Sequence, residues 1–166
     1  LRILKGVSKH CYMLESVENQ EVWGRYTFLG YDPKLEITCM NGEMCIRESG
    51  SEEGAKEPVA HPGAKIKEIL KEYTSPKVKD LPSFTGGLVG YFSYDYVKYS
   101  EPKLNLDADD QEGFKDVDLM LFDKVIAFDN LRQKIYIIAN ARTENLEQEY
   151  DRCLAEIEEI VDLIEH

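Results

Sequence analysis

A carboxylate and a hydroxyl stand side by side at the end of an otherwise apolar, strand-like run. They belong to Glu15 and Ser16, which follow Met13 and Leu14. A carboxylate on an apolar face is costly unless it is paired or reaches solvent. Glu15 therefore either forms an ion pair with Arg25 on the next predicted strand, or receives the ammonium group of a ligand while Ser16 supplies a further hydrogen bond. The residues alone favour the ion pair.

Two other patterns that suggest chemistry fail on residue type. The glycine-rich run at 86–90 (GGLVG) lacks the lysine and Ser/Thr of a phosphate-binding loop and the spacing of a dinucleotide site. Its glycines instead favour a strand that another backbone or a ligand approaches closely. Apart from the terminal His166, only His10 and His61 could act as an imidazole base, and no G-x-S-x-G motif occurs. We therefore assign no catalytic residue to this chain.

The acidic and sulfur-containing residues do not predict a metal site. The run at 107–113 (DADDQEG) lacks the ligand spacing of a calcium loop, so we interpret it as a solvated loop. The cysteines have no C-x-x-C spacing and lie in apolar runs, which predicts buried, reduced thiols in an intracellular protein. They are Cys11, Cys39, Cys45 and Cys153.

Composition predicts one folded domain over residues 1–166, with 43% hydrophobic and 31% charged residues. The net charge of −12 argues against a nucleic-acid partner or an anionic membrane, because both would be repelled. With no signal peptide or apolar run of membrane-spanning length, we expect a cytoplasmic protein. The chain begins at Leu1 without methionine and stops at His166 within a predicted helix, so we expect a fragment of a longer protein.

Hydrophobic periodicity predicts an α+β fold of largely antiparallel sheets with a few packing helices. The Asn41-Gly42 pair, between two alternating runs, predicts a tight hairpin. A polar stretch at 49–60 predicts a mobile loop. The expected strands are 10–17, 24–31, 35–40, 43–48, 117–122, 125–129 and 134–140, and the expected helices are 64–73 and a final helix from about residue 144.

The final helix is predicted to begin after Thr143 as its N-cap and to pack through one continuous apolar stripe. Steps of three and four residues define that stripe. Its members are Leu146, Tyr150, Cys153, Leu154, Ile157, Val161 and Ile164.

Four motifs together identify a family that none of them would identify alone. They are 13–16 (MLES), 23–30 (WGRYTFLG), 84–95 (FTGGLVGYFSYD) and 128–130 (FDN). In this order and spacing they resemble the N-terminal region of the anthranilate synthase component I family, and the resemblance runs from about Cys11 to the final helix.

In that family this region packs with a larger C-terminal chorismate-binding domain into one α/β sandwich, and it carries much of a feedback site for L-tryptophan. The resemblance places Glu15 and Ser16 in that site most directly, and Arg25, Tyr26 and Thr27 beside them. It also implies that the catalytic residues and the glutamates that hold Mg²⁺ lie in a C-terminal domain absent here. The intact enzyme, a lyase of tryptophan biosynthesis, would use a glutamine amidotransferase subunit as its ammonia source, and this fragment alone would be inactive.

Two alternatives remain open. The component I family of aminodeoxychorismate synthases, in the folate pathway, shares the same organisation. A stand-alone, non-catalytic interaction module is an alternative from another class. Several hundred further codons with chorismate-site motifs downstream of residue 166 would favour an enzyme, whereas a natural stop codon there would favour the module.

Overall fold

A computed structural model describes residues 1–16, 24–101, 103–104 and 111–165. The predicted α+β architecture is confirmed, with two largely antiparallel sheets and a few helices. The helices are α1 (Arg2–Val7), α2 (Pro62–Glu72), a 3₁₀ helix (Tyr94–Tyr99) and α3 (Leu146–Glu165). The strands are β1 (Cys11–Leu14), β2 (Tyr26–Tyr31), β3 (Leu35–Met40), β4 (Glu43–Glu48), β5 (Ala55–Pro58), β6 (Gly87–Phe92), β7 (Val117–Phe122), β8 (Lys124–Asp129) and β9 (Lys134–Ala139).

The chain divides into two compact units. The first comprises Leu1–Pro33, Ser75–Gly87 and Phe122–His166, and the second comprises Lys34–Thr74 and Leu88–Leu121. Such a division fits one domain built from two layers as well as two separate domains. The expectation of a single domain therefore stays a prediction.

The first unit contains a four-stranded sheet in the order β1-β2-β8-β9, with antiparallel pairing throughout. Alternate residues of its strands point to α1 and α3, because side chains along a strand alternate between the two faces. The buried core on that face consists of Leu4, Leu29, Tyr31, Ile126 and Ile160.

The second unit contains a five-stranded sheet in the order β5-β4-β3-β7-β6. Helix α2 covers one face of it through Ile66, with Ile69 and Leu70 packed alongside. Pro62 suits the first turn of α2, where no intrahelical partner is available for a backbone N–H. The buried core here is Ile37, Cys39, Met44, Ile66, Val117 and Leu119.

The predicted hairpin at Asn41-Gly42 is confirmed. Both residues have positive φ, 50° and 80°, as a type I′ turn requires. The Gly42 amide donates a hydrogen bond to the Tyr99 hydroxyl (2.7 Å), and the Asn41 side-chain oxygen accepts one from Lys98 Nζ (2.9 Å). The turn is therefore held by side chains of the 3₁₀ helix as well as by the strands.

The glycine-rich run forms the start of β6, as predicted. Gly90 has φ of 152°, and a Cβ added to it would overlap the backbone of Asp118 and Leu119 on β7. The close approach of another backbone therefore explains this glycine without any phosphate ligand.

The prediction of a loop over the whole of 49–60 is wrong, because β5 forms within it. Residues 55–58 pair with the edge of β4, in the register Cys45↔Lys56 and Met44↔Glu57. An ion pair between Lys56 and Glu43 accompanies the pairing. Backbone pairing with an available strand edge overrides a polar, aperiodic composition.

The predictions for the last helix are partly wrong. Helix α3 begins at Leu146, and its first intrahelical hydrogen bond runs from the Glu149 amide to the Asn145 carbonyl. Thr143 therefore lies too far ahead of the helix to be its N-cap. Only Cys153 and Ile160 are fully buried along α3, while four members of the predicted stripe are exposed: Leu146, Tyr150, Leu154 and Ile164.

The remaining predictions of helices and strands hold to within a few residues. β1 spans Cys11–Leu14 rather than 10–17, and Val17 and residues 107–110 of the acidic run lie outside the described ranges. Cys39 and Cys153 are buried thiols as predicted, whereas Cys11 and Cys45 are half-buried. Of the helices in the described ranges, none combines the length and hydropathy needed to cross a bilayer.

Candidate functional site

The predicted ligand residues converge at one end of the first sheet. Strands β1 and β2 are antiparallel, with Leu14 opposite Phe28, so the chain leaves β1 where β2 begins. Glu15 and Ser16 follow β1 and are exposed. Arg25 lies directly before β2, and Tyr26 and Thr27 begin that strand at the same end. The structure thus brings together the two motifs that lie about ten residues apart in sequence.

Arg25 pairs with a different carboxylate from the one expected. Its Nη2 lies 2.6 Å from Asp129 Oδ2, and its Nε lies 3.1 Å from each oxygen of that carboxylate. Within the described ranges, no ion pair joins Arg25 to Glu15, so the expectation of that pair is wrong. The Arg25 guanidinium, helped by the backbone amides of Arg132 and Leu131, lowers the pKa of Asp129 to about 2.

Thr27 and Tyr26 point to opposite faces of β2. Thr27 is buried, and its hydroxyl accepts a hydrogen bond from Asn130 Nδ2 at 3.1 Å. Tyr26 is half-buried beside Phe28, and the Arg25 guanidinium lies 4.9 Å from the centre of its ring. The start of β2 is therefore fixed on one face by Asn130 and on the other by a cation–π contact.

An aromatic cluster lies next to these residues on the Tyr26 face of the sheet. Tyr12 packs edge-on against Phe122 and Phe84, with ring centres 4.7 and 6.4 Å apart, and Phe84 packs against Phe28 in the same way. The Tyr12 hydroxyl is buried without a hydrogen-bond partner within the described chain, and burial raises its pKa. Gly30 is small enough to accommodate this ring, because an added Cβ would overlap it.

The second unit has a polar cluster of its own around Asp116, which is 3% exposed. This carboxylate accepts hydrogen bonds from the Tyr99 hydroxyl, Lys98 Nζ and the Asn41 amide, each at 2.7 Å. Burial alone would raise the pKa of Asp116, but these hydrogen bonds bring it below its ordinary value. Because its carboxylate accepts hydrogen bonds from three donors within the protein, Asp116 connects the 3₁₀ helix to the β3–β4 turn.

An open cavity of about 560 Å³ lies on the face of the second sheet opposite α2. Cys45 and Thr38 line it together with charged side chains, among them Arg47 and Glu36, which pair with each other. The predicted ligand residues do not line this cavity. In the described part of the chain, no group of three or more His, Cys, Asp or Glu residues is arranged to hold a metal ion.

Sequence reasoning missed the roles of Asp129 and Asn130. Asp129 ends β8 and Asn130 begins the β8–β9 turn, and together they hold Gly24, Arg25 and Thr27 by side-chain and backbone hydrogen bonds. The available signal was their place in the fourth motif, at the end of a strand with a turn directly behind it.

The chain is similar in sequence to several anthranilate synthases. It is 35% identical to anthranilate synthase component 1 of Acetivibrio thermocellus over 154 residues, which covers 92% of this chain and 31% of the relative. It is 38% identical to the component 1 protein of Pseudomonas aeruginosa over 152 residues, which covers 91% of this chain and 30% of the relative. The chain thus spans about three tenths of the length of the curated relatives that it matches.

The fold is similar to that of a solved relative. Anthranilate synthase component I from Streptococcus pneumoniae superposes with a TM-score of 0.54 at 21% sequence identity, over 86% of this chain and 32% of that one. The sequence pattern of the family described as chorismate binding enzyme matches residues 9–165. Since that match covers nearly the whole chain, the protein belongs to the chorismate binding enzyme family.

Proposed function

We propose that this chain is the N-terminal part of an anthranilate synthase component I, which converts chorismate and ammonia to anthranilate and pyruvate in the first step of tryptophan biosynthesis. The observation that carries the proposal is the similarity to component 1 proteins along nine tenths of the chain. In the intact lyase a glutamine amidotransferase subunit supplies the ammonia in the cytoplasm. The C-terminal chorismate-binding domain, which lies outside this chain, supplies the catalytic residues.

Mg²⁺ belongs to that other domain in this proposal. Among the described residues, no group of three or more His, Cys, Asp or Glu is arranged to hold a metal ion. Because the proposal assigns the catalytic residues to the other domain, it makes the isolated chain inactive and gives it a regulatory and structural role.

The regulatory role is to form half of a feedback site for L-tryptophan. Glu15 is exposed and suited to receive the ligand's ammonium group, and Ser16, the next residue, is exposed as well. Arg25 lies directly before the adjacent strand, Tyr26 and Thr27 begin that strand, and all three border the site. Their common position at one end of the sheet supports this assignment. Bound tryptophan inhibits by favouring one arrangement of this chain and the chorismate-binding domain over another.

A substitution at Ser16 tests the site in the full-length protein. We expect Ser16→Phe to fill the space beside Glu15, so that inhibition by L-tryptophan is relieved while chorismate turnover stays largely intact. Ser100→Phe, at an exposed position of the second unit, is the matched control and should stay tryptophan-sensitive. If Ser16→Phe kept full sensitivity, the site assignment would be wrong.

Product analysis tests the enzyme assignment separately. The full-length protein with its amidotransferase partner, chorismate and glutamine should release anthranilate and pyruvate. Accumulation of aminodeoxychorismate instead would assign the protein to the folate branch, and the absence of any turnover would favour a binding module.

A further inference from the structure

The β8–β9 turn holds the start of β2 more firmly than sheet pairing alone requires. Asp129 is 1% exposed, and its two oxygens accept hydrogen bonds from three residues. Arg25 donates through Nε and Nη2, while the backbone amides of Leu131 and Arg132 donate to Oδ1 at 3.2 and 3.0 Å. One buried carboxylate therefore fixes both the shape of the turn and the direction of the Arg25 side chain.

Asn130 completes the attachment from the next position. Its backbone amide donates to the Arg25 carbonyl (2.8 Å), and its side-chain amide donates to Thr27 Oγ1 (3.1 Å) and to the Gly24 carbonyl (3.4 Å). Residues 24, 25 and 27 are thus each held by Asp129 or Asn130. Glu15 and Ser16, which follow the neighbouring strand β1, are exposed.

The ion pair with Asp129 limits how Arg25 can interact with a ligand. Its guanidinium faces a full negative charge at 2.6 Å, so the pair offers little net charge to a ligand carboxylate. Its side chain also lies over the Tyr26 ring, so displacing the guanidinium would release that ring as well. The geometry suits Arg25 to orienting Tyr26 and the strand, rather than to direct recognition of a carboxylate.

We propose that Asp129 and Asn130 are positioning residues for the amino-acid effector: they hold the chain from Arg25 to Thr27 in one preformed position, beside which L-tryptophan binds. This inference rests on the proposed feedback site. A site that is ordered before binding has a smaller entropic cost of binding. Loosening this part of the chain should therefore weaken affinity even where the protein stays folded.

The test separates affinity from stability in the full-length protein. Calorimetry gives the Kd of L-tryptophan, and thermal unfolding gives Tm, for wild type, Asp129→Asn, Arg25→Lys and the control Asp116→Asn. Asp116 is a matched carboxylate, since it is also buried and fully bonded but lies in the second unit. Arg25→Lys keeps the positive charge but loses the bidentate hydrogen bonding to Asp129.

We expect Asp129→Asn and Arg25→Lys to raise Kd at least tenfold at temperatures where both variants are folded. Asp116→Asn should lower Tm while leaving Kd within twofold of wild type. The inference is overturned if both first-unit variants bind like wild type, or if Asp116→Asn weakens binding equally. If Asp129→Asn does not fold, Arg25→Lys decides alone, because Arg25 is partly exposed and its replacement is milder.

Failure of the proposed function gives a different result. If wild type itself does not bind L-tryptophan, the feedback site is wrong and the positioning role falls with it. If wild type binds and the first-unit variants bind equally well, the feedback site stands and only the positioning role is wrong.

Discussion

The α-carbon of Gly90 faces Asp118 so closely that a Cβ added to it would lie 2.0 Å from the Asp118 carbonyl oxygen. The atoms in this contact belong to the backbone, so no flexible side chain could move aside to relieve an overlap. The contact also requires a φ of 152°, which residues with a side chain rarely adopt. Strand β6 can lie beside β7 at this point only because the residue is glycine.

Gly90→Ala should therefore lower the free energy of unfolding by about 3 kcal/mol, from overlap and backbone strain together. Gly6→Ala is the matched control, because Gly6 lies in α1 with open space around its Cβ position. Alanine there should leave stability unchanged or raise it by about 0.5 kcal/mol. Urea unfolding of both variants measures the difference, and equal stabilities would contradict the close approach.

The two buried aspartates predict a loss of stability in acid. Asp129 has a pKa of about 2, below the 3.8 of an unfolded aspartate, and the pKa of Asp116 is also lowered. The unfolded state therefore binds more protons at low pH, so this stabilisation is complete above about pH 5 and disappears as the pH falls through the folded pKa. We expect urea midpoints to drop steadily from pH 5 to pH 2.5.

Asp129→Asn identifies the group responsible. Asparagine does not titrate, so the variant should be less stable at neutral pH and should show a shallower fall in acid than wild type. Parallel pH curves for the two proteins would mean that Asp129 contributes nothing to the acid transition.

Arg152 links α3 to the end of the first sheet. Its guanidinium contacts Glu149 and Glu156 on the helix and donates to the Asn140 carbonyl at 3.0 Å. Because the side chain is about a quarter exposed, solvent screens part of the attraction. We expect Arg152→Met to lower the free energy of unfolding by about 1 kcal/mol.

Arg2→Met, an exposed arginine of α1, is the control for Arg152 and should change stability by less than about 0.5 kcal/mol. Denaturant unfolding at low and moderate salt measures both variants. A comparable effect of the two substitutions would show that the contacts of Arg152 add nothing.

Helix α3 offers a direct test of which apolar residues it buries. Ile160 has no exposed surface, so Ile160→Ala should cost about 3 kcal/mol of unfolding free energy. Leu154 is 41% exposed, so Leu154→Gln should change stability by less than about 0.5 kcal/mol. Thermal unfolding of the pair checks this, and a large loss from Leu154→Gln would mean that the predicted single packing stripe was right after all.

Local patterns predicted most of the strands, because alternation and turn chemistry act over a few residues. Strands β3 and β4 match their predicted limits, and Asn41-Gly42 forms the expected turn. Strand β5 was not predictable in this way, because its polar residues are ordered by the edge of β4. In α3, spacing identified an apolar surface, but the part of that surface that is buried depends on where the sheet lies.

The candidate site shows the same limit. The sequence predicted neighbouring strands for the segments of Glu15 and Arg25, and β1 and β2 are indeed antiparallel neighbours. The predicted ion-pair partner of Arg25 was wrong, because Glu15 is near Arg25 in sequence whereas the actual partner, Asp129, lies 104 positions away. Contacts over such separations are set by strand order, and residue spacing does not carry that information.

The β3–β4 turn also bears on how the protein ages chemically. Asn-Gly is the dipeptide most prone to deamidation, in which the glycine amide nitrogen attacks the asparagine side chain to form a succinimide. Here the Gly42 amide is occupied by the Tyr99 hydroxyl, and the Asn41 side chain is held by Lys98. Because attack requires the turn to rearrange and the Gly42 amide to give up its contact, we expect deamidation at Asn41 to be slower in the folded protein than in an unfolded chain.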